Sequence, residues 1–388
     1  MNATLAILAL LVFNMGGVFD LTGVGPGVAT GRVLYTNGTK VGVVASVNGS
    51  VFALRDYTPL DAGWGTILMA SRDGKLLVAY KNGSMYQLGD VVKSMPPYRV
   101  TSKGALVTAG LVALLVNKSG AARLRVDGLL VVDYRDGVVL GSRGGNDAVI
   151  LRGSSALLYE GLAPLALCNE THAVVVYKGD IGILGYRNGL VTLIHVDNVK
   201  PVWGETLDYS IASCSDGTLA FTGRANSTIT IVVLDTASGS CWLVKPLGEV
   251  RGAGVAVDGK RVTAAFSVKG GAKLAIYKCR FKVESLFVEP KRLNATILLE
   301  SVESSAVSIE RLPAVNKTTM LAPNLLLAVL EVRSSGESGA GKVKLGNAPG
   351  VPVLLLLVIF FTLLASILLA RRSVRRISSA ESARHHPG

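Results

Sequence analysis

Between residues 31 and 293 the chain is cut repeatedly by glycine turns, among them Asp73-Gly74, Asn82-Gly83, Asp127-Gly128, Asp136-Gly137, Asp216-Gly217 and Asp258-Gly259. The runs between such turns are about four to seven residues long and rich in Val, Ile, Leu and Tyr. They are too short for helices and suit half-buried strands. Asp-Gly and Asn-Gly supply the positive φ angles that a tight hairpin needs. No stretch here has the 3.6-residue periodicity of an amphipathic helix, so the sequence predicts an all-β fold. Composition agrees: with 388 residues and 49% hydrophobic content the chain can bury a large core, and its 44 glycines follow no three-residue period, which excludes a collagen-like protein.

The hairpins share a plan. Ser71-Arg72-Asp73-Gly74-Lys75-Leu76-Leu77-Val78-Ala79 returns in outline as Ser215-Asp216-Gly217-Thr218-Leu219-Ala220-Phe221 and as Val257-Asp258-Gly259-Lys260-Arg261-Val262. Taken four strands at a time, the pattern gives units near 31–63, 64–98, 99–137, 138–166, 167–201, 202–249 and 250–293, scattered around roughly 40 residues each. The first hairpin resembles the Ser-Pro-Asp-Gly-Lys turn and following strand of WD40-like and TolB-like β-propellers, with Arg72 in place of proline. The resemblance implies a β-propeller of about seven four-stranded blades over residues 31–293. The Gly-His and Trp-Asp signatures of classical WD40 repeats are missing, so it implies no subfamily. A pair of stacked β-sandwiches is the rival architecture.

Residues 351–370, VPVLLLLVIFFTLLASILLA, hold no charge over 20 residues, and Arg371, Arg372, Arg375 and Arg376 follow at once. A helix of this length spans a bilayer core, and the arginines set the expected orientation: tail 371–388 cytoplasmic, against anionic lipid headgroups, and everything before the span outside. At the other end, residues 1–20 contain the apolar run Ala3 to Phe13, the expected core of a signal sequence, cleaved or retained, with a first propeller strand or a displaced start as rivals. Asn-x-Ser/Thr occurs nine times among 15 asparagines, at Asn2, Asn37, Asn48, Asn82, Asn117, Asn169, Asn226, Asn294 and Asn316. Chance would give roughly two, so the excess points to a densely N-glycosylated ectodomain. Residues 294–333 read as a membrane-proximal β-rich segment, with completion of the last blade as the alternative, and 334–350, SSGESGAGKVKLGNAPG, as a flexible linker.

Net charge is +13, and outside the tail 35 basic residues still face 26 acidic ones. The basic residues are dispersed among turns without a run or a basic helix, which argues against nucleic acid and for acidic glycans or an acidic envelope protein as partner. The single glutamine, Gln87, and the small number of asparagines outside sequons suggest a hot environment; with the sequons they point to a thermophilic archaeon. Four cysteines, Cys168, Cys214, Cys241 and Cys279, allow three pairings in an oxidising exterior, with Cys214 to Cys241 the first choice by proximity in sequence.

Chemistry is sparse. Gly336 to Lys342 has phosphate-loop spacing, but Val343 stands where Ser or Thr should meet magnesium. Two lone histidines, His172 and His195, do not make a metal site, and no cofactor is implied. Asp127, Asp133 and Asp136, and Glu205 with Asp208, are carboxylate clusters in a chain full of Asp turns. Trp64 and Trp203, each beside glycine, are the binding candidates, as sugar-stacking platforms or as wedges between blades. The expectation is a single-pass cell-surface glycoprotein whose propeller head serves non-catalytic recognition or scaffolding at the envelope. An extracytoplasmic hydrolase of carbohydrate or peptide, and an envelope assembly or secretion component, are the alternatives.

Overall fold

The computed structural model describes residues 4–333 apart from 11–16, 36–39, 47–50, 55–56, 64–65, 72–76, 82–83, 88–97, 101–104, 109–111, 118–119, 127, 203–210, 296 and 303–324. Every regular element among the described residues is a β-strand, as the turn spacing predicts. Among these residues no helix is long and apolar enough to cross a membrane; the apolar stretch 351–370, the linker 334–350 and the tail 371–388 lie outside them.

After β1 (Thr4–Leu10), the first sheet consists of β2 (Gly17–Gly25), β3 (Val28–Tyr35), β4 (Lys40–Ser46) and β5 (Val51–Leu54). The second holds β6 (Tyr57–Gly63), β7 (Thr66–Ser71), β8 (Leu77–Lys81) and β9 (Ser84–Gln87). The third is built on β10 (Tyr98–Val100), β11 (Ala105–Thr108), β12 (Val112–Asn117) and β13 (Gly120–Val126). The fourth follows with β14 (Leu130–Arg135), β15 (Val138–Arg143), β16 (Asp147–Arg152) and β17 (Ser155–Tyr159). The fifth has β18 (Ala163–Leu167), β19 (His172–Tyr177), β20 (Asp180–Gly185) and β21 (Leu190–Val196). The sixth contains β22 (Val199–Pro201), β23 (Ala212–Ser215), β24 (Thr218–Ala225), β25 (Thr228–Asp235) and two long strands, β26 (Ser240–Asp258) and β27 (Arg261–Lys278). Four strands remain: β28 (Phe281–Phe287), β29 (Lys291–Leu293), β30 (Ile297–Val302) and β31 (Leu325–Arg333).

Two of the predicted Asp-Gly turns carry the expected chemistry, whereas at Asp258-Gly259 only the glycine is left-handed and the turn is Gly259-Lys260. Asp136 and Gly137 have φ of 51° and 81°, and Asp216 and Gly217 have 44° and 77°. Both residues of each pair are left-handed, which matches the right-handed twist of the strands they join. The unit boundaries do shift. The first sheet starts at Gly17 and turns at Pro26-Gly27, ahead of the first Asp-Gly signal, so the observed sheets begin earlier than the expected units.

The last strands do not stay together. Residues 242–247 of β26 face residues 273–278 of β27, and the chain then lays β28 on β21, β29 on β17 and β30 on β13. It thereby adds an outermost strand to the sixth, fifth, fourth and third sheets in turn. Finally β31 inserts between the first half of β27 and β1. On either side of the boundary expected at 293/294, β29, β30 and β31 join sheets founded earlier in the chain. The Thr4–Leu10 run, expected within a signal sequence, pairs with β31 as an edge strand.

Neighbouring sheets pack face to face through apolar side chains. Leu140 and Ile150 meet Val175 and Leu184 between the fourth and fifth sheets, and Val174 and Ile194 meet Phe221 and Val232 between the fifth and sixth. The succession returns to its start, because Phe19, Leu21 and Val24 of β2 pack with Ala256, Ala265 and Leu327. Phe19, Phe221 and Phe266 are fully buried, each stabilising the fold by roughly 2–3 kcal/mol through area removed from water. Buried Tyr159 satisfies its hydroxyl by donating to the Tyr186 carbonyl at 2.6 Å.

Candidate functional site

The leading strands of the sheets converge on one small cavity of about 70 Å³. Its wall takes Val24 to Pro26 from β2 and its turn, Asp61 and Ala62 from β6, Arg99 and Val100 from β10, and Asp133 and Arg135 from β14. Ala166 and Leu167 come from β18, Ser213 and Cys214 from β23, and Val255 and Ala256 from β26. Four of these strands carry a register shift just before the wall, at Leu21/Gly23, Pro59/Asp61, Val131/Asp133 and Pro164/Ala166. A bulge turns the next side chain out of the ladder, which is how an otherwise apolar strand presents a carboxylate to its neighbour.

Asp61 and Asp133 use that position identically. Asp61 Oδ1 accepts from its own neighbour Ala62 N at 2.8 Å, and Oδ2 accepts from Val100 N of the next sheet at 2.7 Å. Asp133 Oδ1 accepts from Tyr134 N at 2.9 Å, and Oδ2 from Leu167 N of the next sheet at 2.8 Å. Ser213 provides a neutral version, its Oγ accepting from Val257 N at 3.0 Å. Two guanidiniums complete the cluster: Arg99 donates to the Leu165 carbonyl and lies 3.7 Å from Asp133 Oδ2, and Arg135 donates to the Cys168 carbonyl. At Gly25 a β-carbon would meet the Ala62 carbonyl oxygen at 1.8 Å, so this approach of β2 to β6 requires glycine.

Burial dominates the electrostatics. It pushes the Asp61 carboxyl up to about 7, against the opposing pull of the Val100 and Ala62 N–H groups and of Arg99. Burial raises Asp133 as well, against Arg99, the Leu167 and Tyr134 N–H groups and Arg135. The four carboxylate oxygens accept backbone N–H groups, and each guanidinium donates to a backbone carbonyl. The arrangement fastens sheet to sheet through these buried acceptors.

A larger recess of about 490 Å³ lies between the fifth and sixth sheets. Its floor includes Cys168 and Cys214, which are disulfide-bonded with Cα atoms 4.8 Å apart. The second disulfide joins Cys241 and Cys279. The expected Cys214 to Cys241 bond is therefore corrected. Those residues occupy β23 and β26 of one sheet, with β24 and β25 between them. Three strand spacings amount to about 14 Å, beyond the reach of a disulfide.

Other sequence candidates are distributed differently. Trp64, Trp203, Asn37, Asn48, Asn82 and Asn316 lie outside the described residues, as do Asp127, Glu205 and Asp208. Asn117 ends β12, Asn226 sits with Ser227 at a hairpin tip with φ of 46° and 63°, and Asn294 is exposed just after β29. Asn169 borders the recess. His172 Nδ1 is 2.8 Å from Thr171 Oγ1, and His195 stands between Asp180 and Glu284 at 3.6 Å from each. Of the carboxylates singled out in the sequence only Asp133 enters the convergent cluster; Asp136 is a turn residue. Asp61 and Arg99 escaped notice. A usable signal was the shared Pro59-Leu60-Asp61 and Pro164-Leu165-Ala166, in which a Pro-Leu pair marks the bulge.

No model of a known protein family matches the chain, and a search of curated proteins finds none that is similar to it.

Proposed function

We propose that the sheets are the blades of a seven-bladed β-propeller of the WD40-like or TolB-like kind, and that this head belongs to a single-pass, N-glycosylated surface protein anchored by residues 351–370. Seven leading segments at one cavity, and sheet packing that returns from β26 and β27 to β2, support the architecture. The pairing of β1 with β31 would close such a ring with strands from both ends of the head. Function is then non-catalytic recognition or scaffolding at the cell envelope, using outer surfaces and loops.

One observation carries this reading. Where ionisable side chains converge among the described residues, both carboxylates accept a backbone N–H from the next sheet, and the cavity they line is small, about 70 Å³. A hydrolase would instead leave a carboxylate pair open to substrate.

The test is made on intact cells, with a membrane-impermeant amine reagent followed by glycopeptide mapping of the purified protein. Labelled exposed lysines such as Lys278, Lys282 and Lys291, together with glycans on sequons before residue 351, would support an outward-facing head. A chain that is unlabelled and unmodified would overturn it in favour of a cytoplasmic protein.

A further inference from the structure

The recess between the fifth and sixth sheets has a sequon in its wall: Asn169 of Asn169-Glu170-Thr171. We infer that this recess cradles the first sugars of the glycan carried by Asn169, so that the saccharide fills the gap between two sheets. The inference rests on reading the head as a glycosylated ectodomain.

Three observations support it. The Asn169 carboxamide is held in place, because its Oδ1 accepts from Thr171 N, Thr171 Oγ1 and His172 N, each at 2.9 Å. All these bonds use the oxygen, leaving Nδ2, the atom that carries an N-linked sugar, as the chemically available end. The wall also has the right composition. Among the described residues it holds no Lys, Arg, Asp or Glu, and it combines the polar groups of Asn188, Thr192 and Ser215 with the apolar Leu190, Phe281 and Val283. A pyranose ring has this dual character, with an apolar C–H face and a rim of uncharged hydroxyls, and aromatic side chains stack on the former.

The rim, finally, is left open. Leu190 is 43% exposed and Val283 59%. Apolar side chains this exposed beside a recess are ones that a covering group would shield from water. Asn226, on a hairpin tip, and Asn294 are exposed and line neither described cavity, which makes them internal controls.

The experiment uses the full chain displayed on, and purified from the membranes of, a eukaryotic host that attaches N-acetylglucosamine-cored glycans. A peptide-N-glycosidase is applied to the native and to the denatured protein, and release is followed site by site by mass spectrometry. The expected result is release from Asn169 about tenfold slower than from Asn226 and Asn294 in the native protein, with equal rates after denaturation. Val283→Ser and Leu190→Ser, at exposed positions, should bring the Asn169 rate to that of the controls while the melting curve stays cooperative. Equal native rates, or slow release that neither substitution relieves, would overturn the cradle. So would an unoccupied Asn169 beside occupied Asn226 and Asn294. Absence of glycan at all three would instead sink the glycoprotein reading, and the cradle with it.

Discussion

Asp61 and Val100 belong to neighbouring sheets, and the carboxylate Oδ2 of the first accepts the backbone N–H of the second at 2.7 Å. The acceptor is buried and its pKa is raised, so the fastening responds to pH. In the unfolded chain Asp61 titrates near 3.8, and in the fold near 7. Its stabilising contribution is thus fully present below the unfolded value and is lost as pH rises through about 7. Denaturant titrations from pH 5 to 8 should show stability falling, by an amount on the order of 2–4 kcal/mol. Asp61→Asn, which keeps an acceptor without the charge, should flatten that dependence. A profile unchanged in the variant would show that the carboxylate is not the titrating group.

Removing the acceptor altogether is different. Asp61→Ala or Asp133→Ala leaves the Val100 or Leu167 N–H without a buried partner and should cost about 1–3 kcal/mol near pH 5. That cost shrinks at higher pH, because the variant no longer holds the buried acid whose ionisation destabilises the native protein. Thermal melts at pH 5 measure it, and a melting temperature there that neither substitution lowers would contradict the hydrogen-bond account.

Non-reducing peptide maps should recover Cys168 linked to Cys214 and Cys241 linked to Cys279, with no peptide joining Cys214 to Cys241. Replacing Cys168 and Cys214 by serine should lower stability by roughly 2–4 kcal/mol, since the bond closes a loop spanning a separation of 46 residues.

Sequence reading succeeded where structure is local. The Asp136-Gly137 and Asp216-Gly217 turns carry their own backbone chemistry, so the all-β fold was legible from dipeptides. Cys214 and Cys241 misled because nearness along the chain is not nearness across a sheet, and Asp61 was marked only by the Pro59-Leu60 pair at its bulge, while Arg99 has no local mark of the next sheet it reaches. The destinations of β28, β29 and β30 were equally hidden. An outer-edge strand is specified by the free ladder of a partner far back in the sequence, which leaves no periodic trace of its own.

Hydrogen exchange offers a fourth check. β28 is the outer edge of its sheet and largely solvated, with Phe287 66% exposed, whereas β19 and β20 lie inside the same sheet with buried Val174, Val175 and Ile181. Amides of 281–287 should exchange at least about tenfold faster than those of 172–177. Equal protection would mean that the sheet opens as one unit.

The route taken by 273–302 also sets a timetable. Val126 waits for Ile297, and Leu158 for Lys291, so the third and fourth sheets are founded early and finished only when the end of the head has left the ribosome. Contacts so distant in sequence are made slowly, and until they form each sheet presents an unpaired edge to any passing strand. The same stretch that seals the outer edges in the mature protein therefore defines the interval in which a nascent chain most needs protection from its neighbours.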